Sequence, residues 1–310
     1  MQLPLDEKFR MGFMTGIGSR QDARDVAQRA QELGYDSIFT GDHMVFTLPI
    51  LDPLLQLAML GCYAEDLQIG TAVYLLPLRH PVLAAKQVAS LDRLCEGRLI
   101  FGVGVGGEFA SDYEACSVPV TERGARLEAA LPLMRSLLRG EPTHSDHAFF
   151  PFPETQLIPP AKQPGGPPIW CGGRSDRALE RMGRLADGWV SYVVTPEQYA
   201  QGLSKIAASA EAAGREVERF DTAHPLFARV ADDYETAFES ANAHLSQRYA
   251  MDFSRATKRY AAIGSPADVA ERLHAYREAG LRHVILDCVA EAEERPEQLQ
   301  RFAEEVRPLL

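Results

Sequence analysis

No run of apolar residues in the 310-residue chain approaches the roughly 18 that a membrane span needs. The first residues, MQLPLDEKFRMGF, carry acids early and no hydrophobic segment before a small-residue cleavage site, so they read as a mature cytoplasmic start. Positive charge is short as well: 32 Lys and Arg stand against 43 Asp and Glu, a formal net charge of −11. That balance argues against a nucleic-acid binder and a membrane-surface protein, both of which present basic patches. Cysteine is sparse and unpatterned. Cys62, Cys95, Cys116, Cys171 and Cys288 form no CxxC and have no His at zinc-finger spacing, so they read as reduced thiols and no metal site is assigned. There is no GxSxG elbow, HExxH or Walker loop, which leaves hydrolase, zinc-protease and NTPase readings without support.

What is present is an ordinary apolar content, 46%, too high for a disordered chain and sufficient for a large core. One local pattern recurs. Around Gly34, Gly97, Gly188 and Gly280 a helix-like segment ends in glycine and a short run rich in Val, Ile, Phe or Trp follows at once. Glycine suits the left-handed position just past a helix, and the runs are too short to be helices themselves. Helix starts agree: Ser19 with Asp22 at capping-box spacing, and Thr195-Pro196 and Ser265-Pro266 as N-cap followed by Pro. Eight strand candidates result: 10–15, 37–40, 68–75, 99–105, 168–171, 189–194, 222–228 and 283–288, with helices between them and a polar helix over 291–306. This alternation predicts an α/β chain with a parallel sheet and favours one (β/α)8 barrel domain over 1–310 rather than an open doubly wound sheet. Residues 140–168 break the rhythm. They hold eight of the twenty prolines together with Phe149, Phe150 and Phe152, which fits either a linker or a loop packed over a site.

In parallel α/β folds ligands bind at the C-terminal ends of strands, so the residues just past each strand are the candidates. Gly172-Gly173-Arg174-Ser175 joins a strand to a helix. It is either a phosphate cradle at a helix N-terminus or a tight turn with Ser175 as an ordinary cap. Gly102 to Gly107 formally match GxGxxG. A dinucleotide fingerprint would open directly into a helix, and here acidic EFASDYEACSVPV follows, so these glycines clear space for a flat ligand or simply fill a barrel core. Asp42-His43 sets a carboxylate beside an imidazole, which can move protons near neutral pH or merely fix a loop. Glu108 is open between an acid–base role and plain exposure.

Taken together, TGDH (40–43), TAVYLLPLRHPVLAAKQVASLDRLCEGRLIFGVGVG (71–106), PPIWCGGRSDRALERMGRLADGWV (167–190) and GSPADVAERLHAYREAGLRHVIL (264–286) closely resemble the bacterial-luciferase-like flavin- and deazaflavin-dependent oxidoreductases. The resemblance implies a dimeric TIM barrel that binds FMN or the deazaflavin coenzyme F-420 at its C-terminal mouth. It implies that His43 is catalytic and that Glu108 lies near a catalytic glutamate, although GVGVGGE is one residue longer than the family's GVGxGE. It implies a non-proline cis peptide at Ala72-Val73 against the ring, phosphate contacts at Gly172, Gly173, Arg174 and Ser175, and further cofactor contacts at Asp42, Gly106, Gly107 and Trp170. The Asp-His pair and the lack of a long insertion resemble the deazaflavin branch, which points to hydride transfer with a small-molecule substrate. An FMN-dependent monooxygenase and a non-catalytic flavin-binding protein are the alternatives. Loops 140–168 and 245–262 are expected to line the substrate pocket.

Overall fold

The computed structural model describes residues 2–46, 49–106 and 109–310. Eight parallel strands close into a barrel: Arg10–Met14, Ser37–Thr40, Gln68–Thr71, Leu99–Val103, Ile169–Gly172, Gly188–Val190, Asp221–Val230 and His283–Cys288. Each pairs with the next in chain order, and the eighth pairs with the first through Arg10 opposite His283 and Phe13 opposite Leu286. Side chains alternate along each strand. Phe39, Ile100, Trp170, Val190, Ala223 and Ile285 point inward and pack together. Their neighbours Ile38, Phe101, Cys171, Trp189 and Leu286 point outward into the main hydrophobic core, where the helices lie.

The caps behave as their sequences ask. The Ser19 hydroxyl accepts from the Asp22 N–H, and Thr195 and Ser265 form full capping boxes with Gln198 and Asp268. The expected polar helix over 291–306 is an α-helix at Arg295–Arg301 that continues as a π-helical turn, Phe302–Val306, with Phe302 and Val306 buried. The seventh strand runs ten residues, and its end pairs with a short strand, Ala262–Gly264, where only loop was expected. Arg181 is buried, with Glu128 3.5 Å away and Arg184 on the same carboxylate at 2.6 Å.

The proline-rich stretch is a strap on the flank of the barrel. It makes an antiparallel hairpin, Thr143–Ser145 with Phe152–Thr155, and rests on the fourth barrel helix, Arg123–Leu138. Arg126 of that helix lies over the Phe149 and Phe150 rings, at 5.1 and 5.0 Å. Asp92, on the third barrel helix (Pro81–Leu94), is fully buried and accepts from the Lys162 and Gln163 N–H groups and the Gln163 amide. The strap therefore packs against helices.

Two histidines sit inside this framework away from solvent. His283, at the N-terminal end of the barrel, pairs with the Ser37 hydroxyl at 2.6 Å, and His224 pairs with the Ser191 hydroxyl at 2.7 Å. Burial pushes both imidazoles down to about 3. In the unfolded chain they titrate near their ordinary value of about 6.5. Between those limits the unfolded chain binds more protons than the native one, so stability falls as pH falls, by up to about 1.4 kcal/mol per pH unit for each histidine. Urea midpoints measured from pH 7 to 4.5 should therefore decline, and His283→Asn should flatten the decline. Equal slopes in the variant and the parent would contradict this.

Candidate active site at the barrel mouth

The third strand ends at Thr71, and one residue on the Ala72-Val73 peptide bond is cis, as the resemblance implied. The chain is held through this bulge by backbone bonds on both sides. Ala72 N–H donates to the Thr40 carbonyl at 2.9 Å, and Tyr74 N–H donates to the Gly102 carbonyl at 2.8 Å. Ala72 and Val73 are half-buried and roof the inward-facing cluster.

The glycines of the fourth strand follow from this bulge. A Cβ on Gly104 would overlap a methyl group of Val73, and one on Gly172 would lie 3.1 Å from its other methyl. A Cβ on Gly102 would overlap the Thr71 carbonyl. The space read as clearance for a flat ligand is thus filled by the chain itself at Gly102 and Gly104. Gly106 turns the backbone at φ 54° beside Leu75. Gly107 and Glu108 lie outside the described residues. The next described helix, Ala110–Ala115, has six residues and starts at Ala110, so Gly102 to Gly106 do not open into a helix as a dinucleotide fingerprint would.

Asp42 is buried and fully engaged. Its carboxylate accepts from the Leu75 N–H at 2.8 Å and from both terminal nitrogens of Arg79, one at 3.0 Å. Burial works against the Arg79 charge, but Asp42 more than offsets it and leaves the guanidinium pKa raised. The Arg79 plane lies over the Tyr74 ring at 4.2 Å. Asp42 therefore braces the bulge segment through its carboxylate. It is not the partner of His43. That partner is Asp112, whose Oδ2 lies 2.8 Å from His43 Nδ1 and whose Oδ1 accepts from the Met44 and Val45 N–H groups at 2.6 and 2.9 Å. The His43 ring stacks on Phe46 at 4.1 Å and meets the edge of Phe109 at 5.3 Å. Asp112 went unnoticed in the sequence because it lies 69 residues away in an acidic stretch with no motif of its own.

Trp170 lies deeper than the other candidates. Its ring is 2% exposed inside the barrel, roughly parallel to Phe39, and its indole N–H donates to Asp221 at 3.0 Å, at the start of the seventh strand. It fills the core beneath the mouth.

Gly172–Ser175 does join the fifth strand to a ten-residue helix, Asp176–Leu185. The Ser175 hydroxyl caps it by accepting from the Ala178 N–H at 3.3 Å. Gly173 has φ 130°, and a Cβ there would lie 2.8 Å from the Ala178 side chain, so glycine is required on two counts. Arg174 is exposed and donates to the Tyr192 and Val193 carbonyls at 3.3 and 3.1 Å. From it a groove of about 350 Å³ runs outward along Val193, Gln198, Gln201, Lys205 and Tyr260. The helix start and the adjacent Arg174 guanidinium fit an anionic group, while Lys205 on the groove is paired with Asp176 at 2.5 Å.

Past the sixth and eighth strands the wall is aromatic and polar. The Tyr192 and Tyr249 hydroxyls bond each other, and Arg248 donates to Asp287 at 2.8 Å. Burial opposes the Arg248 charge, yet Asp287 raises its pKa. Phe253 stacks on Tyr249 and meets the Phe227 ring edge-on. The segment 245–262 thus reaches these residues, whereas 140–168 packs on the helices of the flank. Among the described residues there is no group of three His, Cys, Asp or Glu arranged to hold a metal ion, and no helix long and apolar enough to cross a membrane.

The family model of luciferase-like monooxygenases matches residues 8–283, and the chain belongs to that family. A Mycobacterium tuberculosis protein of unassigned activity is 33% identical over 167 residues, 54% of this chain, and the chain spans only 57% of that relative's length. The F420-dependent glucose-6-phosphate dehydrogenase of Microbacterium testaceum is 27% identical over 92% of both chains. Among solved structures, an F420-dependent secondary alcohol dehydrogenase in complex with an F420-acetone adduct superposes with a TM-score of 0.86, at 17% identity, covering 98% of this chain and 99% of its own.

The socket for Val73 can be tested by one methyl group. Gly104→Ala should destabilise the protein by about 1–3 kcal/mol, the scale of overpacking a filled site. Gly16→Ala, whose added Cβ would meet nothing nearer than Gln56 at 3.8 Å, should stay within about 0.5 kcal/mol of the parent. Equal denaturation midpoints for the two variants would show that the glycine is not needed for packing.

Proposed function

We propose that the protein is an oxidoreductase that binds coenzyme F-420 at the barrel mouth and transfers a hydride between it and a small organic substrate. The observation that carries the reading is the pairing of the Ala72-Val73 bulge with His43, a titratable ring at the mouth held by Asp112, Phe46 and Phe109. The bulge would support the cofactor ring. Gly173, Arg174 and the first turn of the helix after Ser175 would hold its phosphate. His43 would hold or accept a proton at the mouth. A deazaflavin supplies two-electron hydride chemistry, and the chain supplies orientation and electrostatics. The reading is supported by the F420-dependent dehydrogenase among the relatives and by a 30% identical ketoreductase of Mycobacterium tuberculosis, named for phthiodiolone and phenolphthiodiolone dimycocerosates, over 70% of this chain. The second reading is an FMN-dependent monooxygenase, favoured by the description of the family itself.

Absorbance and fluorescence titrations of the purified protein with F-420 and with FMN decide between them. Tighter binding of F-420 is expected. Gly173→Asp, which adds bulk and negative charge at the phosphate position, should weaken binding at least about tenfold, or about 1.4 kcal/mol. Unchanged affinity would remove Gly172–Ser175 as the anchor, and preference for FMN would favour the monooxygenase.

The same reading includes a homodimer. Leu55 and Met59 stand exposed four residues apart on the helix Pro53–Gly61, with Leu51 exposed just before its cap and Leu83 exposed on the next barrel helix. Burial of this apolar stripe against a second copy is the natural use for it. Leu55→Lys should lower the mass measured by light scattering to that of one chain. A parent protein that is already monomeric would refute the dimer.

A further inference from the structure

Asp112 uses its two oxygens for different tasks. Oδ1 accepts the Met44 and Val45 N–H groups, which by itself ties the loop after the second strand to the helix Ala110–Ala115. Oδ2 is not needed for that tie and is aimed at His43 Nδ1, 2.8 Å away. The carboxylate is 1% exposed, and the Phe46 and Phe109 rings fix the imidazole plane from the face and the edge. The other carboxylate beside His43 in sequence, Asp42, is committed to Arg79 and Leu75, so it does not compete for the ring.

A carboxylate that accepts two backbone N–H groups offers Nδ1 an acceptor, so Nδ1 must be the donor. The neutral ring then carries its proton on Nδ1 and leaves Nε2 bare. In free neutral histidine the preference runs the other way, toward a protonated Nε2. We propose that Asp112 is a positioning residue for His43, setting the tautomer so that the ring exchanges protons through Nε2 alone and acts as a proton acceptor at the mouth. The same division of labour, in which a buried carboxylate orients an imidazole and sets its tautomer without reacting, is known from hydrolytic triads. Its catalytic use here rests on the proposed function, but the tautomer itself does not.

The test is long-range ¹H–¹⁵N NMR of the cofactor-free protein labelled with ¹⁵N-histidine, with the His43 signals assigned through His43→Gln. In the parent, the neutral His43 ring should be protonated at Nδ1. In Asp112→Asn the amide oxygen can still accept from Met44 and Val45, while the amide NH₂ faces Nδ1 and makes it an acceptor, so the proton should move to Nε2. F-420 affinity should change less than about threefold, because the ring stays in place. A parent ring protonated at Nε2 would overturn the proposal without any variant having to fold. A variant that folds and keeps its proton on Nδ1 would overturn it too. Failure of F-420 to bind either protein would sink the cofactor assignment and leave the tautomer result standing.

Discussion

Val73 can occupy its place between the fourth and fifth strands only because Gly104 and Gly172 present no side chains there. Much of the mouth depends on that close fit. The bulge that carries Val73 is tied by backbone bonds to Thr40 on one side and Gly102 on the other. The segment after it is pinned through Leu75 and Arg79 to the buried Asp42. Asp42 immediately precedes His43, so the brace that holds the bulge also fixes where the imidazole loop begins. One packing constraint thereby couples the second, third, fourth and fifth strands at the end where ligands bind in barrels of this type.

The two sides of the mouth differ in chemistry. His43, Asp112, Phe46 and Phe109 form a compact group on the loops after the second and fourth strands. Across the barrel order, Tyr192, Tyr249, Arg248 and Asp287 make a wall in which each polar group already has a partner. Arg174 and Lys205 stand on a separate groove outside the wall. The floor inside the barrel is apolar, and the groove outside carries Arg174 and a Lys205 that is paired with Asp176 at 2.5 Å.

The barrel was legible because its signals are local. Glycine-terminated helices recur at four units and N-caps at three, and together with the short apolar runs they located all eight barrel strands. Strand ends were overrun at 72–75, 104–105 and 191–194, since apolar residues continue into the mouth and periodicity alone cannot say where pairing stops. The site was legible only through whole-segment resemblance. The glycine repeat looked like room for a ligand because the residue filling it, Val73, lies on a different strand. Asp42 adjoins His43 in sequence, whereas the partner of the ring in space is Asp112. Trp170 sits beside the candidate cradle in sequence but points toward the opposite end of the barrel. Neighbours along the chain are not neighbours in space, because a strand reverses the face it presents at every residue.

The most direct test of the account is a crystal structure of the protein with F-420 bound. The account predicts the deazaflavin ring resting on the Ala72-Val73 bulge, its phosphate at the backbone of Gly173–Ser175 and the Arg174 side chain, and His43 Nε2 turned toward the ring with Nδ1 still on Asp112. A ring bound elsewhere, or His43 released from Asp112 and turned away from it, would contradict the account.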